Sequence, residues 1–274
     1  MIDRTRSEFK AYLDLYEKAP LLELGRLADA RRWQLHPENV VTYIIDRNIN
    51  YTNVCVADCK FCAFYRRPKH LEGYVLSFEE IGRKIDEVKA LGGVQILMQG
   101  GHNPYIPFGW YLDLLRYIKR HHPIHIHAFS PSEIDFFAGR FGMSIEEVLR
   151  ELMTAGLDSI PGGGGEILVQ EIRDRVAKKK AGADRWLEVM AIARLVLDNV
   201  PNIQASWVTM GPKIGQVALR FGANDFGSLM MEENVVSAAG TTWRMTLPEM
   251  RRLIADAGYR PVQRRQDYSL LDAA

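Results

Sequence analysis

The sequence predicts an α/β fold, an incomplete parallel (β/α) barrel with about six strands. Short β-branched and aromatic runs alternate with helical patterns of about 10–15 residues, which is typical of right-handed βαβ units. Three cysteines and several glycine-rich turns directly follow predicted strands, and the active site of a parallel barrel lies at that carboxyl end. No Pro/Ser/Gly linker divides the 274 residues, so residues 1–274 are expected to form one domain.

The predicted elements follow from periodicity. Residues 1–39 carry leucine and aromatic residues near the 3.6-residue period and are predicted to form an N-terminal helical segment. The predicted strands are compact apolar runs: Val40–Ile45, Val94–Met98, Ile124–Phe129, Leu157–Ile160, Ile203–Met210 and Gly222–Phe226. The predicted helices are amphipathic: 78–91, 109–121, 144–155, 184–199 and 246–257. Ser77 with Glu80 three residues later matches a capping box, and Gly92 ends that helix.

Charge and hydropathy exclude several classes of function. The chain has 35 Lys and Arg against 34 Asp and Glu, a formal net charge of +1, which provides no basic footprint for nucleic acid or a membrane surface. No apolar run approaches the ~18 residues of a membrane span, and no cleavable signal pattern opens the chain. The sequence therefore predicts a cytoplasmic protein.

All three cysteines lie within eight residues, Cys55, Cys59 and Cys62, in a C-x3-C-x2-C pattern. A disulfide framework does not fit an odd number of cysteines in a chain without secretion signals. Structural zinc held by the three thiolates and His70 is an alternative, although zinc sites usually combine two separated pairs of ligands. A [4Fe–4S] cluster bound by cysteines normally uses four. Three would leave one iron open to a ligand that is not protein.

The C-x3-C-x2-C motif after a first barrel strand resembles the radical S-adenosylmethionine (SAM) superfamily. The resemblance implies a [4Fe–4S] cluster on Cys55, Cys59 and Cys62 that donates an electron to SAM. Cleavage of SAM then yields a 5′-deoxyadenosyl radical. The protein supplies binding, orientation and exclusion of water for this chemistry.

The resemblance also implies cofactor contacts beyond the cysteines. Phe64 stands where an aromatic residue meets adenine, although it could be a core residue. Gln99-Gly100-Gly101 matches the turn that holds the methionine amine, without the usual acid. Ser130 follows the third strand at the same rim. Glu166, after the glycines 162–165, is a candidate for the ribose hydroxyls or, equally, a helix N-terminal acid.

Candidate substrate contacts lie on or after other strands. His125 and His127 share one face of the third strand, and the face cannot be assigned from sequence, so His127 is either a buried structural residue or a substrate contact. Trp207, Asn224 and Asp225 occupy comparable places near the rim. No residue is identified as catalytic from the sequence.

Longer motifs narrow the resemblance to one family, the cyclic dehypoxanthine futalosine synthases of menaquinone biosynthesis. The segments that carry it are Asp46–Cys55, Cys62–Arg66, His125–Pro131, Pro161–Gly165 and Gln204–Met210. It implies hydrogen abstraction from the substrate ribose and ring closure onto the benzoate ring. It also implies a futalosine derivative as substrate and flavodoxin or ferredoxin as electron donor, and it leaves oligomerisation open. Aminofutalosine synthase and the deazaflavin-forming and tyrosine-lyase relatives are the close alternatives.

The sequence departs from this family at one point. Family members carry two further βα units between the helix sequences that here end at Met190 and begin at Ala191, and the two sequences abut. Fusing two helices that normally point in opposite directions is expected to force a new arrangement. A catalytically inactive cluster-binding remnant, or a structural metal-binding protein, is therefore the alternative of a different class.

Overall fold

The computed structural model describes residues 6–57, 62–162, 182–232, 234 and 243–271. Its strands are parallel and its helices connect them, so the predicted α/β class is confirmed. The chain divides into two compact units. The first unit consists of Met1–Ile44, Lys179–Leu229 and Thr242–Ala274, and the second of Ile45–Lys178 and Met230–Thr241.

Within the described ranges there are ten helices and six strands. The helices are α1 Arg6–Lys18, α2 Leu21–Leu35, α3 Phe78–Ala90, α4 Phe108–His121, α5 Pro131–Phe141, α6 Ile145–Ala155, α7 Ala183–Val196, α8 Trp207–Met210, α9 Pro212–Ala218 and α10 Leu247–Asp256. The strands are β1 Val40–Ile44, β2 Asp46–Ile49, β3 Gln95–Met98, β4 His125–Ala128, β5 Asp225–Ser228 and β6 Arg260–Gln263. None of the described helices combines the length and the apolar character needed to cross a membrane.

The second unit contains a parallel sheet in the order β2-β3-β4. Ser159 extends it by a parallel bridge to His127, so the predicted strand Leu157–Ile160 is represented by one rung. The helix predicted over 78–91 is confirmed as α3. Both bonds of its capping box form, and its face of Ile81, Ile85 and Val88 is fully buried.

The first unit contains a second parallel sheet in the order β5-β1-β6. Helices α2 and α7 pack together in this unit. Two guanidinium groups hold backbone oxygens here. Arg32 donates to the carbonyl of Val40 at 2.6 Å, and Arg194 donates to that of Gly222 at 2.7 Å. These bonds satisfy oxygens at the ends of irregular segments, which would otherwise be buried without a partner.

Three further predicted strands differ from the structure. The strand predicted over Gly222–Phe226 begins three residues later, as β5 Asp225–Ser228. The strand predicted over Val40–Ile45 ends at Ile44, as β1. A separate strand, β2, begins at Asp46 and belongs to the other sheet. The strand predicted over Ile203–Met210 is wrong: Gln204 alone bridges to Asp225, and Trp207–Met210 is helical. The indole of Trp207 is buried there and donates to the carbonyl of Ser228 at 2.9 Å. Burial of one large side chain therefore overrides the strand preference of its neighbours.

The segment around residues 190 and 191 is continuous. Helix α7 includes both residues without a break, and its buried residues are Leu187, Met190, Ala191 and Arg194. The two abutting helix sequences therefore form a single helix of 14 residues.

Candidate functional site

The carboxyl ends of β2, β3 and β4 lead into three loops of the second unit, which carry the cysteines, the glycine turn and Ser130. The cysteine loop is attached to the glycine turn by backbone bonds: Val56 N–H donates to the carbonyl of His102 at 3.1 Å. Cys55 Sγ accepts two backbone N–H groups, from His102 at 3.3 Å and from Ala57 at 3.4 Å. Backbone N–H groups that donate to a cysteine sulfur are typical of a sulfur that binds a metal.

Cys55 and Cys62 are free thiols and are partly exposed. Cys59 lies outside the described residues, and so does Glu166. Three soft thiolates on one short loop suit an iron–sulfur cluster, and partial exposure leaves room for the cluster and for a further ligand. The donor set that the structure describes therefore fits the group that the sequence motif implies.

Gly100 and Gly101 lie where a side chain would clash. A Cβ atom on Gly101 would come within 2.2 Å of the Val54 carbonyl oxygen and 2.8 Å of Cys55 Cβ. A Cβ atom on Gly100 would come within 2.4 Å of the ring of Tyr51. Close approach of the turn to the cysteine loop therefore requires both glycines.

A buried carboxylate that sequence reasoning missed joins the three loops. Glu133, in the first turn of α5, accepts from Tyr51 Oη at 2.7 Å, Gly100 N at 3.1 Å and Ser130 N at 2.8 Å. Burial raises the pKa of Glu133, and these donors oppose the shift. The Ser130-x-x-Glu133 spacing of a capping box was the available signal.

Ser130 is the N-cap of α5, so its hydroxyl and its N–H are already hydrogen-bonded to Glu133. The preceding Phe129 adopts a positive φ of 62° although it is fully buried. A non-glycine residue in this region is strained, and such strain is common beside functional sites. The chain turns sharply at this point from β4 into α5.

Phe64 and Gln99 lie at the same rim. The Phe64 ring is partly exposed and contacts the Tyr74 ring edge-on, with centroids 6.5 Å apart. Gln99 is partly exposed, and its backbone carbonyl accepts from Asn50 Nδ2 at 3.0 Å. Both side chains therefore remain accessible to a small molecule.

His125 and His127 lie on the partly exposed face of β4, whereas Ile126 and Ala128 on the other face are fully buried. Ser159 Oγ lies between the two rings, 2.8 Å from His125 Nε2 and 2.7 Å from His127 Nδ1. A hydroxyl has one proton, so it donates to one ring and accepts from the other. Burial lowers the pKa of His127 to about 4, and His125 adds to the shift, so His127 is neutral at pH 7.

Trp207, Asn224 and Asp225 are buried in the first unit with their polar atoms engaged. Asn224 Oδ1 accepts from Arg194 Nη2 at 2.6 Å, and Asp225 Oδ2 forms an ion pair with Arg264 at 2.6 Å. These bonds hold the three side chains in place in the first unit, and their role as substrate contacts stays a prediction.

Comparisons with known proteins identify the family. Residues 49–205 match the radical SAM superfamily, and residues 165–274 match the CofH/MqnC C-terminal region. The chain is 39% identical to the cyclic dehypoxanthine futalosine synthase of Halalkalibacterium halodurans, with 98% of this chain and 93% of the relative covered. It is 37% identical to the enzyme of that name from Streptomyces coelicolor, over 94% of this chain and 84% of the relative.

More distant relatives share the fold. The chain is 33% identical to the 5-amino-6-(D-ribitylamino)uracil--L-tyrosine 4-hydroxyphenyl transferase of Methanopyrus kandleri, over 87% of this chain and 86% of the relative. Among solved structures, methylornithine synthase aligns with a TM-score of 0.62 at 18% identity, covering 96% of this chain and 95% of that one. The FeFe-hydrogenase maturase of Carboxydothermus hydrogenoformans aligns with a TM-score of 0.56 at 14% identity, covering 96% and 82%. These two likenesses show a common fold.

The alignment lengths reveal an internal difference from the relatives. The match to the Halalkalibacterium enzyme extends over 343 aligned positions, which exceeds the 274 residues of this chain by 69. At least that many positions of the relative therefore lack a counterpart here. They lie inside the alignment, because its two ends are matched.

Proposed function

The chain belongs to the cyclic dehypoxanthine futalosine synthase family of the radical SAM superfamily, and we propose that it cyclises dehypoxanthine futalosine. The observation that carries this proposal is the 39% identity to a curated enzyme of that name over nearly the whole chain, together with a complete cysteine motif at the rim of a parallel sheet. The reaction begins with abstraction of a hydrogen atom from the substrate sugar. Ring closure follows, and the loss of one electron and one proton to an acceptor gives the closed-shell cyclic product.

In this proposal Cys55, Cys59 and Cys62 hold the cluster. When bound, the [4Fe–4S] cluster and SAM together supply the 5′-deoxyadenosyl radical that starts the reaction. The backbone of Gly100 and Gly101 approaches the methionine portion of SAM, and its position is held by the bond from Gly100 N to Glu133.

Other side chains of the rim complete the cofactor site. Phe64 provides a partly exposed aromatic face for adenine, while Gln99 and Glu166 add polar groups. Ser130 contributes by starting α5, because its hydroxyl is bonded to Glu133. His127 contacts the substrate as a neutral imidazole, which can accept or donate a hydrogen bond without introducing a charge.

The proposal is tested by anaerobic iron–sulfur reconstitution followed by two assays. We expect about four irons per chain, and reductive cleavage of SAM to 5′-deoxyadenosine that is accelerated by dehypoxanthine futalosine, with a cyclic product. Cys55→Ala is expected to lose iron and cleavage together, and Arg116→Ala, at an exposed helical site, serves as the control. Zinc in the freshly purified protein, or unchanged iron binding by Cys55→Ala, would refute the cluster assignment.

A second candidate is a cluster-binding protein without turnover. The observation that favours it is the absence of at least 69 aligned positions, which we place between Met190 and Ala191 inside α7. In the family that segment would supply one wall of the pocket. Cluster formation with SAM binding but without 5′-deoxyadenosine would support this candidate over the enzyme.

The working environment follows from the thiolates. Free Cys55 and Cys62 suit a reducing compartment, and we propose the cytoplasm as the location. The family resemblance is what suggests flavodoxin or ferredoxin as electron donor. The absent internal segment could be replaced by a partner subunit, and sedimentation of the reconstituted protein measures the oligomeric state.

A further inference from the structure

One face of the sheet β2-β3-β4 is polar. In-register pairing aligns Asp46 with Gln95 and His125 in one row, and Asn48 with Leu97 and His127 in the next row towards the rim. Alternate residues of a strand share a face. The "polar face" is therefore formed by Asp46, Asn48, Gln95, His125, His127 and Ser159, with Leu97 as its apolar member.

The opposite face of the same sheet is mostly apolar and closely packed, and its polar member, Arg47, forms ion pairs with Glu87 and Glu232. Ile49, Ile96, Met98, Ile126 and Ala128 are all fully buried there. On this face the strands therefore carry only apolar or ion-paired side chains, and the polar face needs a separate explanation.

Within the part of the chain that the structure describes, the amide oxygens of the polar face are unpaired. Asn48 Oδ1 and Gln95 Oε1 are buried without a hydrogen-bond partner among the described residues, although their side chains are about 95% buried. A buried polar atom without a partner costs about 1–3 kcal/mol, and native proteins keep few of them. Leu97, His125 and His127 remain partly exposed, so a small molecule can reach this face.

The chemistry of the face selects the ligand. The polar face contains one acidic residue, Asp46, whose carboxylate accepts a hydrogen bond from Gln95 Nε2 at 3.1 Å. The face has no lysine or arginine, and its two imidazoles are linked through Ser159, so it suits neutral polar groups better than phosphate or carboxylate. An amide oxygen requires a hydrogen-bond donor, and a neutral imidazole can either donate or accept a hydrogen bond. A hydroxyl group fits both, because it donates and accepts.

We propose that Asn48, His127 and Ser159 bind the hydroxyl groups of the substrate sugar, with Gln95 and His125 as the deeper row of the same site. This inference rests on the proposed function, which supplies a sugar-containing substrate. The backbones of β2 and β4 lie ~10 Å apart across β3, so one ring can contact side chains from both strands. Asn48 and His127 form the row nearer to the cysteine loop, where the hydrogen atom is abstracted.

The first test needs neither cluster nor turnover. Asn48→Leu removes an amide without a partner and fills the same volume, so the ligand-free protein is expected to melt at the same or a higher temperature. Asn53→Leu is the matched control, because both amide atoms of buried Asn53 are bonded, to the carbonyl of Glu72 at 3.0 Å and the N–H of Tyr74 at 2.9 Å. Asn53→Leu is expected to melt at a lower temperature than the parent. Equal destabilisation by the two substitutions would overturn the proposal.

The second test measures binding to the reconstituted protein without reductant. Asn48→Leu is expected to weaken the affinity for dehypoxanthine futalosine at least 10-fold and to leave that for SAM within 2-fold. Ser159→Ala, which removes the link between the histidines, is expected to weaken substrate binding about 5-fold. A substrate analogue that lacks the sugar hydroxyls should bind the parent and Asn48→Leu equally, because the lost bond is the same.

The outcomes separate the two hypotheses. If the parent binds the substrate and Asn48→Leu binds it equally well, the hydroxyl site is wrong and the proposed function stands. If Asn48→Leu instead weakens the binding of SAM, the polar face holds the ribose of the cofactor and the proposal is overturned. If the parent binds SAM but not the substrate, the proposed function fails, and the sugar site fails with it.

Discussion

The two parallel sheets treat their buried polar groups in opposite ways. In β5-β1-β6, Asp225 is fully buried and accepts from Thr42 at 3.0 Å, Arg264 at 2.6 Å and Tyr268 at 3.2 Å. No described side chain of those three strands has a buried nitrogen or oxygen without a partner. In β2-β3-β4, by contrast, Asn48 and Gln95 each keep a buried oxygen unpaired.

The difference indicates which polar residues serve the fold and which are available to a ligand. A charge that is buried and fully hydrogen-bonded stabilises one arrangement, since removing a single partner is costly. A buried amide without a partner reduces stability in the free protein and is explained when a ligand completes it. Three expected outcomes test this contrast.

The largest loss of stability is expected in the sheet β5-β1-β6, where the buried polar groups are paired. Arg264→Met leaves the Asp225 carboxylate buried without its guanidinium partner, and we expect the free energy of unfolding to fall by about 3–5 kcal/mol. Denaturant unfolding at pH 7 measures it. Arg116→Met removes an exposed ion pair with Asp113 and is the control, expected to cost less than about 0.5 kcal/mol. Similar small costs at both sites would remove the basis of the comparison.

An intermediate effect is expected at the rim of the other sheet. Glu133→Gln replaces one of two acceptor oxygens by a donor, which then faces the N–H of either Gly100 or Ser130, and we expect the free energy of unfolding to fall by about 1–3 kcal/mol. Glu147→Gln is the matched control, because Glu147 has the same place in the exposed capping box of α6, where glutamine also serves. Denaturant midpoints of the two variants should differ clearly, and equal midpoints would show that Glu133 acts as a cap alone.

The smallest effect is expected from His127 and depends on pH. The pKa of His127 is lowered to about 4 in the folded state, so the neutral ring favours folding above pH ~6.5 and that contribution is lost as the pH falls towards 4. When the pH is lowered from 7.5 to 4.5, the free energy of unfolding of His127→Gln should fall by about 1–2 kcal/mol less than that of the parent, with allowance for the partial exposure of the ring. Parallel stability curves for the two proteins would contradict the burial of this ring.

Local signals predicted part of the fold well. The predicted Ser77 capping box forms because its bonds join residues three apart, so the sequence contains the whole interaction. The strand at Ile203–Met210 is wrong because the burial of Trp207 depends on β5, which is distant in sequence. Strand β6 was missed because it contains Pro261, which is tolerated since β6 is at the edge of its sheet.

The candidate site shows the same division. Glu133 was missed although its spacing from Ser130 was visible, because its function depends on Tyr51 and Gly100 from two other loops. Asn224 and Asp225 were candidates by position, and the sequence did not indicate their partners Arg194 and Arg264. Asn48 carried no signal, because the absence of a partner is visible only in the folded chain.

By itself the sequence determined the alternation of strands and helices and the chemistry of the three cysteines, since thiolates at close spacing define a soft metal site wherever the loop lies. The tertiary structure alone decided which buried polar groups are paired. Asp225 meets Arg264 across 39 residues, whereas the amide of Asn48 meets no partner among the described residues. Hydrogen bonding is short-ranged and directional, so only the folded chain determines which polar groups remain for a ligand.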